Sequence, residues 1–475
     1  MSGNKPRYGP MKNYLKYTLL VLSSLSLLSC QKVELHKDVE FNRGLLNFML
    51  AIPGQTTEYM AKTTGPYADG DTIYVEVPTT AEEPIDISKL KATASLENNA
   101  RMEPALTGVM DFTYPLEVRV IDGDGNSKRH IIKAVPTLPR TVFKKRWFYT
   151  ADKMGILRTN ISGMTVVKDQ LLVADFSGGS LGETVGVRVY NASDGTYVKT
   201  IPAPTTFCMQ VSADDADHFV INRYNIYSAG LMLYYYENVD SEPKLILNYT
   251  AADGAPAELG RKISVIGNLK QGKAYIYATA PAVNNQIYYW EFNNGVVVNS
   301  SPTVIRYAAA DPWTFAAVQR KSLDANSDHY LTYCNYVASD ANREKGSRFV
   351  KFTPTMDVVQ MAPSSHYYKI LDFEVFNVEG NQFMAVLTQG FFAWDATHIK
   401  VYDITDPDKM ILLEDSPFYR DFMLFESDAY GGTNYNRYGD IDVRVVGKKI
   451  SIFATMATND KAYAGVMAYD MSYNR

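Results

Sequence analysis

The stretch "KVYDITDPDK" packs Asp403, Asp406 and Asp408 around Pro407. Carboxylates this close could bind a cation or move protons, and glycosidic chemistry needs such groups in pairs. The stretch "DGDGNS" (Asp122–Ser127) raises the same question, because its acids alternate as in a calcium loop. It lacks the bidentate glutamate that a twelve-residue calcium loop places last. Both stretches also have the composition of chain reversals. Proline presets φ, aspartate and asparagine bond their own backbone, and glycine accepts positive φ. Both are therefore read as turns. Other catalytic patterns are absent: the sequence has no GxSxG elbow, HExxH pair, P-loop or CxxC pair. Its histidines, His36, His130, His218, His329, His366 and His398, have no ligand spacing. No catalytic residue, metal ligand or cofactor is assigned.

A different set of residues suits binding. Trp313 lies in "AADPWTF", Tyr367 in "PSSHYYK", and Phe392, Trp394 and Asp395 in "QGFFAWDATH". Tyr435, Arg437 and Tyr438 lie in "AYGGTNYNRYGD". Rings set among amides and charges suit sugar recognition, with the ring stacking on C–H faces and the polar groups reading hydroxyls. These are the candidate ligand-binding residues, Trp313 and Trp394 foremost, and a polysaccharide or oligosaccharide is the expected ligand.

Strands must position these loops. From Thr141 onward an apolar strand, a polar turn and a second strand recur six times, beginning at Ile161, Cys208, Ile263, Phe315, Ile370 and Asp440. A third strand rich in aromatic and β-branched residues follows each, as in "VGVRVYNASDG", "QIYYWEFNNG" and "HIKVYDITDP". A fourth closes the first five units. Four strands repeated six times is the pattern of a six-bladed β-propeller over residues 141–475. The sixth unit ends one strand short, and "TVFKKRWFYT" (Thr141–Thr150) is a spare strand at the other end. It is expected to close the ring as the outer strand of the last blade. A seven-bladed alternative would place another blade within Leu413–Gly439. In this register "KVYDITDPDK" becomes the turn from third to fourth strand of the fifth unit, and "QGFFAWDATH" lies just before it.

Residues 40–138 show period-two alternation in "DTIYVEVP" and a hairpin in "PLEVRVIDGDGNSKRHIIKAV", which predicts a small antiparallel β-sandwich. The chain is thus expected to be all-β. Upstream, Lys12 and Lys16 precede an apolar run from Tyr17 to Leu28, too short to span a bilayer and suited to a signal peptide (residues 1–29). It ends in Leu27-Leu28-Ser29-Cys30, which resembles the bacterial lipobox, and residues 30–39 read as a tether. The resemblance implies lipidation at Cys30. Cys208 and Cys334 are expected to be buried free thiols. The net charge of −5 offers no basic face for nucleic acid.

The segments "IDISKLKATASLENNARMEPALTG", "DFTYPLEVRVIDGDG" and "HIIKAV" resemble the immunoglobulin-like modules that follow the lipidated cysteine in Bacteroidetes outer-surface lipoproteins. The resemblance implies an outer-membrane location facing the exterior, a spacer role for the module and an association with polysaccharide utilisation. It also implies partner proteins of a surface uptake complex. Three functions stay open at this point. They are a non-catalytic glycan-binding protein, a glycosidase or lyase with carboxylates in the propeller channel, and a protein–protein scaffold.

Overall fold

A computed structural model describes residues 44–474 except 56, 81–83, 158, 160, 176–185, 225–228, 281–284, 309–312, 362–367, 393, 415, 417, 432–437, 459 and 461. The chain divides into two compact units at Pro139 and Arg140. Both are built almost wholly from small β-sheets.

The first unit is two four-stranded sheets around one core. Alternation explains the burial: in Thr72–Pro78 the residues Ile73, Val75 and Val77 are buried while Tyr74 points outward. One expectation is corrected. Thr72–Pro78 runs parallel to Ser127–Thr137, with Ile73 opposite Ile132, so the sheets are not purely antiparallel. Between these two strands the chain crosses twice to the other sheet, and Ser127–Thr137 is reached by a hairpin from Leu116–Ile121. The "DGDGNS" stretch is a hairpin turn. Asp122 Oδ1 accepts the backbone N–H groups of Asp124 and Asn126, both at 2.9 Å, and Gly125 has φ +88°.

The second unit is six antiparallel sheets in chain order. Their first strands are Met164–Val167, Cys208–Ala213, Ile263–Gly267, Phe315–Arg320, Tyr368–Val378 and Ile441–Val446. These strands touch in succession, and the sixth also touches the first. The cores follow the same cycle, each shared by two consecutive sheets. The first and second sheets share one, and so on to the sixth and first, which enclose Trp147, Ile161, Val173, Phe453 and Val466. The long connection after Asp403 contributes Met423–Glu426 as the fifth sheet's outer strand.

Thr141–Thr150 pairs antiparallel with Gly465–Tyr473 and completes the sixth sheet, as the strand count predicts. Arg140, just ahead of it, ion-pairs with Asp403 of the fifth sheet and donates to Asn381 Oδ1 at 3.1 Å. Asp403 also accepts the Thr405 N–H at 3.0 Å, and Asp406 caps a 3₁₀ turn that begins at Pro407. Asp403 and Asp406 are therefore occupied in shaping a turn and anchoring the closing strand.

Candidate functional site

Among the described residues, the second unit holds two concave sites of more than a hundred cubic ångströms. The first is an axial cavity of about 190 Å³ lined by the first strands of all six sheets. Alternate residues on those strands are polar, and they link neighbouring sheets. Thr165 Oγ1 and the Val166 N–H both donate to Asp442 Oδ2 at 2.7 Å. Ser264 Oγ donates to the Val318 carbonyl at 2.6 Å, and Gln319 Nε2 donates to Glu374 Oε2 at 2.5 Å. Lys262 spans the axis. Its Nζ lies 2.7 Å from Asp372 Oδ2, 2.9 Å from Asp440 Oδ1 and 2.7 Å from the Gly439 carbonyl. Gly439 has φ +135°, and a side chain there would press on Leu387 and Leu371.

Electrostatics in this cavity follow from confinement. Burial opposes the charge on Lys262, but Asp372 and Asp440 outweigh it and raise the amine's affinity for its proton. Burial, followed by the charges of Asp442 and Asp372, pushes the Glu374 carboxyl well above the usual carboxylate range. Burial also raises Asp442, against the hydrogen bonds from Thr165, Val166 and Val443. The carboxylates expected for hydrolysis in a channel are present. However, Asp372, Asp440, Asp442 and Glu374 are all bonded to protein groups, and the space is smaller than the roughly 300–1,000 Å³ of ordinary ligand pockets.

The second site meets that size. A cleft of about 590 Å³ is lined by Arg343, Tyr368, Gly390, Asp395, His398, Lys400, Glu414, Tyr419 and Glu426, among others. One wall is the loop after the strand Asn381–Gly390. Asp395 fixes this loop, since its Oδ2 accepts the Phe392 N–H and its own N–H bonds the Phe392 carbonyl, both at 3.1 Å. Phe392 and Trp394 stack with centroids 4.7 Å apart and planes within 4°. Trp394 is 74% exposed. The Arg343 guanidinium, on the short helix Asp340–Lys345, lies 5.6 Å from the Phe392 ring centre. The opposite wall comes from the strand Thr397–Asp403, where His398 and Lys400 occupy alternate positions. Glu426 Oε1 lies 3.2 Å from Lys400 Nζ and 3.5 Å from His398 Nδ1, and the Lys400 amine sits 4.6 Å over the Tyr368 ring. Tyr368 and Tyr402 share a hydroxyl contact at 3.0 Å.

Of the candidate residues Asp395 lines the cleft, while Phe392 and Trp394 share its loop and are not in the lining. Trp313 is corrected: it is only 2% exposed, with its ring 5.5 Å from Tyr333 in the core between the third and fourth sheets. The Thr314 N–H bonds the Cys334 carbonyl, so position 313 falls at the sheet edge and its indole turns inward. Tyr438 is half-buried beneath the Arg261 guanidinium at 5.0 Å and does not line the cleft. Tyr367, Tyr435, Arg437 and Cys30 lie outside the described residues. Cys208 and Cys334 are buried free thiols, and burial raises each to about 11, which suits inert packing. Sequence reading missed Arg343, Lys400, His398, Glu414 and Glu426. The alternation of His398 and Lys400 was the one local signal that they share a face.

A family model described as a domain of unknown function (DUF8500) matches residues 167–460, more than half of the chain. The chain belongs to this family. Both the axial cavity and the cleft fall largely within the DUF8500 span. A second model, also described as a domain of unknown function (DUF5018), matches residues 25–134. No curated protein matches the sequence. Among solved structures the chain is similar to a subtype N11 neuraminidase-like protein of A/flat-faced bat/Peru/033/2010 (H18N11). That match has 8% identity and a TM-score of 0.40, covering 70% of this chain and 94% of that one. It is also similar to a mutant of AofleA from Arthrobotrys oligospora, at 9% identity and a TM-score of 0.40, covering 66% of this chain and 83% of that one.

Proposed function

We propose that the chain is a lipid-anchored, glycan-binding protein of the outer cell surface. In this reading residues 44–139 form an immunoglobulin-like module and residues 140–475 a six-bladed β-propeller. The propeller reading is supported by the cyclic order of six sheets, each sharing a core with the next, and by the closing strand Thr141–Thr150. The anchor reading rests on Cys30 at the end of an apolar run. Binding two acyl chains there gives stable membrane attachment where one does not.

One observation carries the ligand reading. The coplanar pair Phe392 and Trp394 stands on the loop whose Asp395 and Ala396 line a cleft of about 590 Å³, with the indole exposed. A large ring left in solvent beside charged groups costs hydration unless something covers it, and a sugar's C–H face fits that need. Binding of defined oligosaccharides to the detergent-solubilised chain tests this. Trp394→Ala is expected to weaken binding by at least ten-fold while the melting temperature is unchanged. Binding indifferent to Trp394→Ala, or no binding to any saccharide, refutes the reading. The same mixtures, incubated and resolved by chromatography, are expected to show no cleavage.

A further inference from the structure

We infer that the saccharide taken by the cleft is acidic, with a sugar carboxylate received by Arg343. This inference rests on the glycan reading and narrows it. Lys400 and His398 both face Glu426, at 3.2 and 3.5 Å. Lys400 is held further by the Tyr368 ring, and His398 Nδ1 lies 3.0 Å from the Ser427 carbonyl. Asp395 is engaged with the backbone of its own loop. Its charge is felt by the buried Lys369 beneath, whose amine sits 5.8 Å from the Phe391 ring. Glu414 also has an interaction within the protein.

Arg343 differs from these groups. Among the described residues its guanidinium makes no ion pair and no side-chain hydrogen bond, and its one contact is with the face of Phe392. A guanidinium on an aromatic face keeps its N–H edge open. That planar fork matches a carboxylate in a two-bond geometry that an ammonium cannot reproduce. The Phe392 ring thus joins a cation on the cleft wall to the exposed indole of Trp394. An oligosaccharide can meet both, one residue lying on the indole and an acidic residue placing its carboxylate at Arg343. A neutral glycan would leave the guanidinium unmatched.

The test is calorimetric titration of the detergent-solubilised full chain. The ligands are polygalacturonate and alginate oligosaccharides, each paired with its carboxyl-reduced neutral counterpart. At least one acidic member is expected to bind ten-fold or more tightly than its reduced form, in keeping with a charge-assisted pair. Arg343→Gln is expected to bring the two within two-fold of each other by weakening the acidic form, with the melting temperature unchanged. Raising salt is expected to weaken only the acidic ligand. Equal binding of acidic and reduced forms, or a preference that survives Arg343→Gln, overturns the inference and leaves the glycan reading standing. Failure of every saccharide, acidic and neutral, overturns the glycan reading beneath it.

Discussion

Replacing Lys262 with methionine removes the cation that bridges three sheets. The side chain is 4% exposed, and its amine holds Asp372 at 2.7 Å, Asp440 at 2.9 Å and the Gly439 carbonyl at 2.7 Å. Methionine keeps the stem volume, so the loss is electrostatic. It leaves two carboxylates across a narrow cavity and one carbonyl without its donor. Breaking a buried pair by removing one partner costs about 3–5 kcal/mol. At this domain size that lowers the melting temperature by roughly 4–7 °C. The loss depends on pH. Burial already raises the proton affinity of Asp440 against the pull of Lys262, and without that amine the folded state holds the proton there more tightly still. The variant's stability therefore falls as pH rises, and its deficit against the parent grows from pH 5 to pH 8. Urea unfolding at pH 5, 6, 7 and 8, followed by tyrosine and tryptophan fluorescence, measures both effects. A deficit below about 1 kcal/mol at pH 7, or one flat across this range, would refute the view that Lys262 neutralises a buried acidic pair.

Further perturbations test other sites. Glu374 keeps its proton in the folded state at pH values where the unfolded chain has released it, because burial and then Asp442 and Asp372 raise its affinity. That part of the stability is lost as pH rises above the unfolded value, so Glu374→Gln is expected to flatten the fall between pH 5 and 8 in urea titrations. Burial lowers Lys369 to about 8, and its amine has no hydrogen bond among the described residues. A shift from 10.5 to about 8 corresponds to roughly 3 kcal/mol. Lys369→Met is thus expected to stabilise below pH 8, with an advantage that shrinks as pH climbs towards 10 and the parent's amine becomes neutral. Arg140→Ala removes the ion pair to Asp403 and the bond to Asn381. It is expected to cost about 1.5–3 kcal/mol and to speed amide exchange selectively in Thr141–Thr150.

The repeat was legible because its signals are local. Each unit announces itself through alternation on the strands and reversals such as Glu379-Gly380, where φ is +50° and +79°. The closing strand followed from counting, since one unit lacked a strand and one strand lacked a unit. Positions set by tertiary approach were not legible. Nothing near Lys262 in the chain points to Asp372 or Asp440, which lie on other sheets and come close only through the cyclic packing. Trp313 and Trp394 looked alike as rings in polar loops. They part because the loop at 313 bonds to the sheet edge through Thr314 and turns its ring inward, while Asp395 closes a turn that holds Trp394 outward. Sequence composition cannot distinguish those two backbone arrangements.

This contrast bears on where function resides. The axial cavity has the denser set of acids, and acids in a channel invite a catalytic reading. Their partners argue otherwise. Thr165 and Val166 join Asp442 to the first sheet, Gln319 joins Glu374 to the fourth, and Lys262 joins the third sheet to the fifth and sixth. A ligand entering about 190 Å³ would have to break these links, and each broken link would leave a buried polar group unmatched at about 1–3 kcal/mol. The cleft imposes no such cost. The exposed Trp394 indole beside it and the Arg343 guanidinium, which makes no ion pair among the described residues, can gain contacts from a ligand without breaking a buried polar link. On these grounds mutations in the channel should act on stability, and mutations at Trp394 and Arg343 should act on binding.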